Sequence, residues 1–286
     1  MTARRARISG IVYVVLVALV LIALLAGCGR RRVMMDPHRL PSGLVIVLPG
    51  IDGRAPHNLA ACRALCTEST GMAVELYDWT APLGPLYNQR ACGRNREMAR
   101  QLAGRIAEYR GAWPDRPVSL IGHSGGTAIA VWAAEALPDD QQVEGIVLLA
   151  SSLSRGYDLS QALRRSRKGI VSFHSPRDGI LLGVGTSVFG TMDGHYGEAA
   201  GKAGFTTPQP ASRHAAYAKL CQVGCGQSTA AAGHDGGHFS CLAPSFIAAR
   251  VQPLLTAARW DRETIARTRG RRMLSATSAS AVALSR

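Results

Sequence analysis

The chain has 286 residues, and 47% of them are hydrophobic, which is enough for a sizeable core and too much for a disordered protein. Its formal net charge is +14, yet all but three of its 33 basic residues are arginines, and no basic stripe interleaved with aromatic residues crosses the middle of the chain. These features argue against a nucleic-acid partner, and the charge favours an anionic membrane surface instead.

The amino terminus predicts an export signal or a membrane anchor. Three arginines within the first seven residues precede an uncharged, mostly apolar segment, residues 8–29, which is long enough to cross a bilayer as a helix. The sequence Leu-Ala-Gly-Cys that ends at Cys28 resembles the lipobox of bacterial lipoproteins, and this resemblance implies that Cys28 is lipidated. The alternative is an uncleaved single-span anchor, which the arginines at 30–32 support.

Under either interpretation a membrane-tethered domain follows, outside the cytoplasm at the cell envelope. Residues 1–28 are then the signal peptide or anchor and residues 29–42 a linker. Residues 43–257 form the folded domain, and residues 258–286, rich in arginine, serine and alanine, are expected to be a disordered basic tail.

Short apolar runs within the domain predict buried strands that alternate with helical segments. The predicted strands are residues 43–50, 72–79, 117–122, 144–151 and 169–175, with a weaker one at 216–223. The predicted helices are residues 55–67, 88–109, 125–137, 159–168 and 243–255. This alternation predicts an α/β domain with a mostly parallel, doubly wound sheet and helices on both faces. Residues 179–204 hold eight glycines and are expected to form a loop or a flexible cover beside a cleft.

Cysteine usage gives a further expectation. Beyond Cys28, six cysteines remain, and an even number after an export signal predicts disulfides without giving their pairing. Free core thiols and a metal site are the alternatives, although the C-x3-C spacings lack the tighter knuckles of structural zinc. These cysteines are Cys62, Cys66, Cys92, Cys221, Cys225 and Cys241.

The stretch GHSGG, residues 122–126, places Ser124 between glycines where a predicted strand gives way to a predicted helix. A nucleophile elbow needs a strained backbone at its serine, and flanking glycines remove side chains that would collide with the neighbouring strand and helix. The alternative is a glycine-rich turn with a capping serine.

On this motif and its context the chain resembles the α/β-hydrolase superfamily from about residue 40 to residue 255. The resemblance implies an acid beyond a later strand and a histidine in the loop before the last helix. Asp178 and His238 occupy these positions, and Phe239 after His238 resembles the family's endings. Asp158 and His234 are the alternatives.

The same resemblance implies an oxyanion hole made by two main-chain N–H groups, those of Ile51 and Gly125. Asp52 beside Ile51 either points into the mouth of the site or completes a turn. Three further histidines, His57, His123 and His174, are interpreted as structural or mouth-lining residues.

The function implied is that of a membrane-tethered serine hydrolase that cleaves carboxylic esters, including lipid or short acyl esters. Ser124, His238 and Asp178 would act through an acyl-enzyme, with no cofactor and no metal. The alternative is a non-catalytic binding module of the same fold at the cell envelope. Because no long helical insertion lies between residues 153 and 169, a minimal domain without a large cap is expected.

Overall fold

A six-stranded parallel sheet organises the chain. The computed structural model describes residues 34–178, 190–207 and 214–267. Within them the strands lie in the order β2-β1-β3-β4-β5-β6, and every neighbouring pair is parallel. The strands are β1 (Leu44–Leu48), β2 (Ala73–Leu76), β3 (Val118–His123), β4 (Gly145–Leu149), β5 (Ile170–His174) and β6 (Leu220–Gly224).

Helices connect the strands and follow the last one. Those in the described ranges are α1 (Pro56–Leu65), α2 (Pro85–Arg90), α3 (Cys92–Ala112), α4 (Gly126–Glu135), α5 (Ser160–Arg164), α6 (Ala200–Ala203), α7 (His214–Tyr217), α8 (Gln227–Ala230), α9 (Pro244–Phe246), α10 (Gln252–Thr256) and α11 (Arg262–Arg267). A single π-helical segment, Ile247–Val251, joins α9 to α10.

Successive side chains of each strand belong alternately to two hydrophobic clusters, one on each face of the sheet. In β1, Leu44, Ile46 and Leu48 belong to the cluster that includes α3, α4 and α5. Val45 and Val47 belong to the other cluster, together with α1 and the carboxy-terminal helices. Because both faces are covered, β1 and β4 are apolar and buried along their whole length rather than alternating, as central parallel strands usually are. The predicted doubly wound α/β fold is confirmed.

Two element boundaries differ from those predicted. The helix predicted over 88–109 is two helices, α2 and α3, separated at Ala91. The amide of Asn88 is engaged elsewhere: Oδ1 accepts from Ala81 N at 2.8 Å, and Nδ2 donates to Ile51 O at 3.0 Å. The weak strand predicted at 216–223 begins four residues later, because α7 occupies its first residues.

Regular structure extends beyond both proposed ends of the domain. A 3-10 helix, Pro37–Ser42, precedes β1, and Tyr109 Oη donates to Leu40 O at 2.6 Å. At the other end Trp260 is buried against Gly145, its Nε1 donates to Leu254 O at 2.8 Å, and α11 follows. The predicted signal or anchor with Cys28 lies outside the described residues, as does the end of the basic tail. Of the helices in the described ranges, none has the length and apolar character needed to cross a bilayer.

The disulfide prediction is not supported, because no disulfide joins the six cysteines that lie in the described ranges. Cys62 lies on the buried face of α1, and burial raises the pKa of its thiol to about 12. Cys241 is also buried, which raises the pKa of its thiol, and its Sγ donates to His238 O at 3.2 Å. The two most buried thiols thus act as small core side chains.

The carboxyl group of Glu135, at the end of α4, is largely withdrawn from solvent. Tyr157 Oη donates to Glu135 Oε2 at 2.8 Å, while the guanidinium of Arg96 lies over the ring of Trp132 at 4.5 Å. Desolvation raises the pKa of Glu135 to about 7, and the Tyr157 hydrogen bond and the Arg96 charge offset only part of this effect. The folded chain therefore holds a proton there that the unfolded chain releases above about pH 4.5.

Glu135 should make the folded chain less stable as pH rises. Its stabilising contribution is complete below the unfolded pKa of 4.5 and is lost as pH rises through the folded pKa of about 7. Glu135→Gln removes this titration while keeping an acceptor for Tyr157. As pH rises from 5 to 8, the free energy of unfolding of the variant should rise relative to that of the parent by on the order of 2 kcal/mol, as measured by urea unfolding. Glu108→Gln, on the exposed face of α3, is the matched control, and an equal gain there would contradict the interpretation.

Candidate active site

Ser124 lies at a sharp turn between β3 and α4 and has a φ of 50°, in the left-handed region that non-glycine residues rarely adopt. Main-chain contacts hold it there: Ser124 N donates to Leu149 O at 3.0 Å, and Thr127 N donates to Ser124 O at 3.1 Å. A residue in this region costs about 1–3 kcal/mol and persists only where its surroundings impose it. The turn is therefore a feature that the sheet maintains against strain.

Glycines around Ser124 allow the backbone to approach itself closely. A Cβ at Gly126 would lie 2.2 Å from Leu48 O, and one at Gly122 would lie 2.7 Å from Gly126 O. At Gly125 a Cβ would meet Ile51 Cγ2 at 2.8 Å. The first two obstacles are main-chain atoms that cannot turn aside, so the sterics expected of a nucleophile elbow are present here.

Asp178 and His238, which lie 60 residues apart in the chain, form a buried pair. Asp178 follows β5, and its N donates to Ser175 O at 3.1 Å. His238 Nδ1 donates to Asp178 Oδ2 at 2.6 Å, and the two side chains are only 8% and 3% exposed, respectively. With Nδ1 so engaged, the proton-accepting nitrogen of a neutral His238 is Nε2.

The alternative acid and histidine have other partners. His234 Nδ1 lies 2.7 Å from Ser240 Oγ, and its ring packs edge-on against Phe246. Asp158 Oδ1 accepts from Ser160 N at 3.0 Å and from Ser160 Oγ at 2.5 Å, at the start of α5. The structure thus brings Asp178 together with His238.

Aromatic rings connect this pair to the Ser124 turn. His123, the residue before Ser124, has its ring 4.9 Å from that of His238, measured between centroids. Phe239 lies 5.9 Å from the ring of His123 and 4.8 Å from that of His57. The carboxyl ends of β3 and β5 and the histidine loop, residues 233–239, therefore meet at one edge of the sheet.

The loop after β1 lies against the Ser124 turn. A Cβ at Gly50 would be 3.4 Å from Ser124 Cβ, which measures how closely the two segments approach. Trp79 Nε1 donates to Pro49 O at 2.8 Å, and Asn88 Nδ2 donates to Ile51 O, so the loop is held from both ends. Ile51 and Gly125, the residues predicted to supply oxyanion donors, are neighbours at this edge.

A second carboxylate–imidazole contact lies at the same edge of the sheet, between the loop after β1 and the start of α1, and the sequence did not predict it. Asp52 Oδ2 is 2.6 Å from His57 Nε2, and Asn58 Nδ2 donates to Asp52 Oδ1 at 3.3 Å. The sequence left the direction of Asp52 open and interpreted His57 only as a mouth-lining or structural residue. The available signal was their separation of five residues across the start of α1. Within the described residues, no three potential metal ligands cluster.

Comparisons with known proteins give little guidance beyond this geometry. No family model matches the chain, and no curated protein matches it. Among solved structures, lipase B of Aspergillus fumigatus is similar with a TM-score of 0.47 and 12% identity, covering 78% of this chain and 56% of that one. SOBER1 of Arabidopsis thaliana is similar with a TM-score of 0.39 and 14% identity, covering 72% and 97%. This chain thus spans little more than half the length of the lipase.

The close contacts around Ser124 predict the effect of a single methyl group. Gly126→Ala should destabilise the fold by about 1–3 kcal/mol or more, because its Cβ meets a main-chain oxygen of β1. Gly104→Ala is the matched control: it lies on the exposed side of α3 with no atom near its Cβ, and should stabilise by about 0.5–1 kcal/mol. Urea unfolding measures both changes, and equal effects would show that the approach of β1 to the turn is looser than described.

Proposed function

We propose that the chain is a serine hydrolase that cleaves carboxylic esters, with Ser124 as nucleophile, His238 as general base and Asp178 as its partner. The observation that carries the proposal is the hydrogen bond from His238 Nδ1 to the buried Asp178, formed beside the strained Ser124 turn. A serine held on such a turn beside an oriented imidazole is the arrangement that acyl transfer requires.

In the proposed mechanism His238 Nε2 removes the proton from Ser124 Oγ as the oxygen attacks the acyl carbon. Asp178 holds the imidazole in the tautomer with a proton on Nδ1 and stabilises the imidazolium that forms. His238 then gives its proton to the departing alcohol oxygen, which leaves an acyl group on Ser124. Water, deprotonated by the same imidazole, releases the acid and restores the serine.

Negative charge that develops on the carbonyl oxygen would be stabilised by the main-chain N–H groups of Ile51 and Gly125. Gly125 is the N-cap of α4, so the positive end of that helix dipole adds to the same field. One such donor typically contributes about 3 kcal/mol to transition-state stabilisation. Because the donors are main-chain atoms, their contribution depends on the turn rather than on side-chain identity.

The proposed substrates are lipid or short acyl esters, as expected from the sequence. Phe239, which follows His238, is an exposed aromatic residue whose ring lies 5.1 Å from that of His238. An apolar acyl group held beside the proposed base would pack against this ring.

The membrane location is proposed from the sequence. Residues 1–28 are the signal peptide or anchor, with Cys28 as the lipidation site under the lipoprotein interpretation. The catalytic domain would then work at the cell envelope on substrates near the lipid surface. The excess of arginine over acidic residues is consistent with attraction to anionic lipids.

Ser124→Ala should abolish both labelling by a fluorophosphonate probe and turnover of p-nitrophenyl esters, because the nucleophilic oxygen is removed. Ser119→Ala is the matched control: this buried serine lies on β3, the strand that leads to Ser124, and its removal should leave both activities intact. Labelling that persists in Ser124→Ala would exclude Ser124 as nucleophile. A parent protein that neither labels nor hydrolyses any ester in a chain-length series would favour the binding-module alternative.

Asp178→Asn should lower kcat/KM about 10³–10⁴-fold, because an amide can donate to Nδ1 and so favour the wrong imidazole tautomer. Asp158→Asn is its counterpart, since that residue bonds to Ser160 at the start of α5 and should affect stability without a comparable loss of activity. Steady-state kinetics on one ester, with melting temperatures for both variants, separates the two effects. Equal losses would mean that Asp178 has no special place in the reaction.

A further inference from the structure

His123 links the strand that carries Ser124 to the loop that carries His238. Its side chain leaves β3 one residue before Ser124 and is only 1% exposed. Its Nε2 lies 3.1 Å from the main-chain oxygen of His238. The acceptor therefore belongs to the proposed catalytic base itself, and the donor belongs to the immediate neighbour of the proposed nucleophile.

The acceptor determines the tautomer of His123. A carbonyl oxygen can only accept, so the proton of the neutral ring is on Nε2 and the lone pair is on Nδ1. Burial lowers the pKa of His123 well below its ordinary value of 6.5, and the nearby His238 and His57 lower it further. His123 is thus a neutral donor whenever the site operates near neutral pH.

Keeping an imidazole at this position has a cost. Nδ1 is buried and has no hydrogen-bond partner among the described residues, and it lies 3.2 Å from the place that a Cβ of Gly50 would occupy. A buried acceptor without a partner destabilises the folded chain. An apolar side chain of similar size would avoid that cost, so the bond from Nε2 is what the imidazole contributes here.

We propose that His123 is a positioning residue that sets the distance between the His238 imidazole and Ser124. The proposal rests on the proposed function of those two residues. Other contacts hold the histidine loop from a different direction: Arg177 Nη1, beyond β5, donates to Asp235 O at 2.9 Å. The bond from His123 adds a connection to β3, the strand that presents the nucleophile.

A positioning role affects the chemical step more than substrate binding. A misplacement of about 1 Å between reacting groups can cost about 100-fold in rate, whereas the pocket that holds the substrate is unchanged. Loss of the His123 bond should therefore lower kcat and leave KM nearly unaltered. The rate of fluorophosphonate labelling should fall with kcat, since both depend on the activation of Ser124.

The test compares His123→Leu, which removes the donor, with His123→Gln, whose terminal amide can reach the same carbonyl. We expect kcat for a p-nitrophenyl ester to fall about 10–100-fold in the leucine variant, with KM within about twofold, and most of the rate to return in the glutamine variant. His174→Leu, at the half-buried end of β5, is the matched control and should keep the parent kcat. If the leucine variant does not fold, His123→Asn, whose shorter amide falls short of the carbonyl, replaces it.

Hydrogen exchange of the amides in residues 235–241 measures how firmly the His123 bond holds the histidine loop, and this measurement does not depend on activity. Exchange should be faster in His123→Leu than in the parent and close to the parent in His123→Gln. Equal kcat in all three proteins, or equal losses in both variants, would overturn the positioning role. If the parent neither labels nor hydrolyses esters, the proposed function fails, and the exchange rates alone then decide whether His123 anchors the loop.

Discussion

The close approach of main chain to main chain at the Ser124 turn is the constraint on which the rest of the site depends. Gly126 lies so near Leu48 O that no side chain fits, and Leu48 is itself in register with Gly122 across the β1–β3 pair. The strain of a serine at φ 50° is thereby offset by a strand pair buried on both faces. Had either strand been an exposed edge, little would hold the turn in that conformation.

Parallel strands then explain how residues from distant parts of the chain converge. All carboxyl ends of such a sheet lie at one edge, so the segments after β1, β3 and β5 lie along the same edge, with β4 between β3 and β5. They supply the loop with Ile51, the turn with Ser124 and the acid Asp178. The histidine loop follows β6 and α8 and returns to the same edge, where Arg177 and His123 hold it from two directions. The sheet acts as a rigid base and the loops carry the chemistry.

Sequence reasoning succeeded where local pattern and chain order determine the outcome. The strands were recognisable because buried parallel strands are mostly apolar. The choice of His238 over His234 as the catalytic histidine stays a prediction, although His238 is the one that bonds to Asp178. Sequence reasoning failed where contacts between residues distant in the chain determine the structure. The contacts of the Asn88 amide beside the break between α2 and α3 reach up to 37 residues along the chain, and a count of cysteines does not contain the packing that decides whether they pair. The bond from His123 to the His238 carbonyl spans 115 residues and has no local signal at all.

Two carboxylate–imidazole contacts lie at this edge, and burial distinguishes their roles. The side chains of His238 and Asp178 are nearly inaccessible, so solvent screens their interaction little and an imidazolium formed there keeps its counter-charge. The side chains of Asp52 and His57 are about one third exposed, which weakens their coupling. A bare carboxylate at Asp52, one residue from a proposed oxyanion donor, would oppose the charge that develops on the substrate. The contact with His57 and the hydrogen bond from the Asn58 amide would reduce that repulsion. Under the proposed function the outer pair would then tune the electrostatics of this edge, and the inner pair would carry the proton.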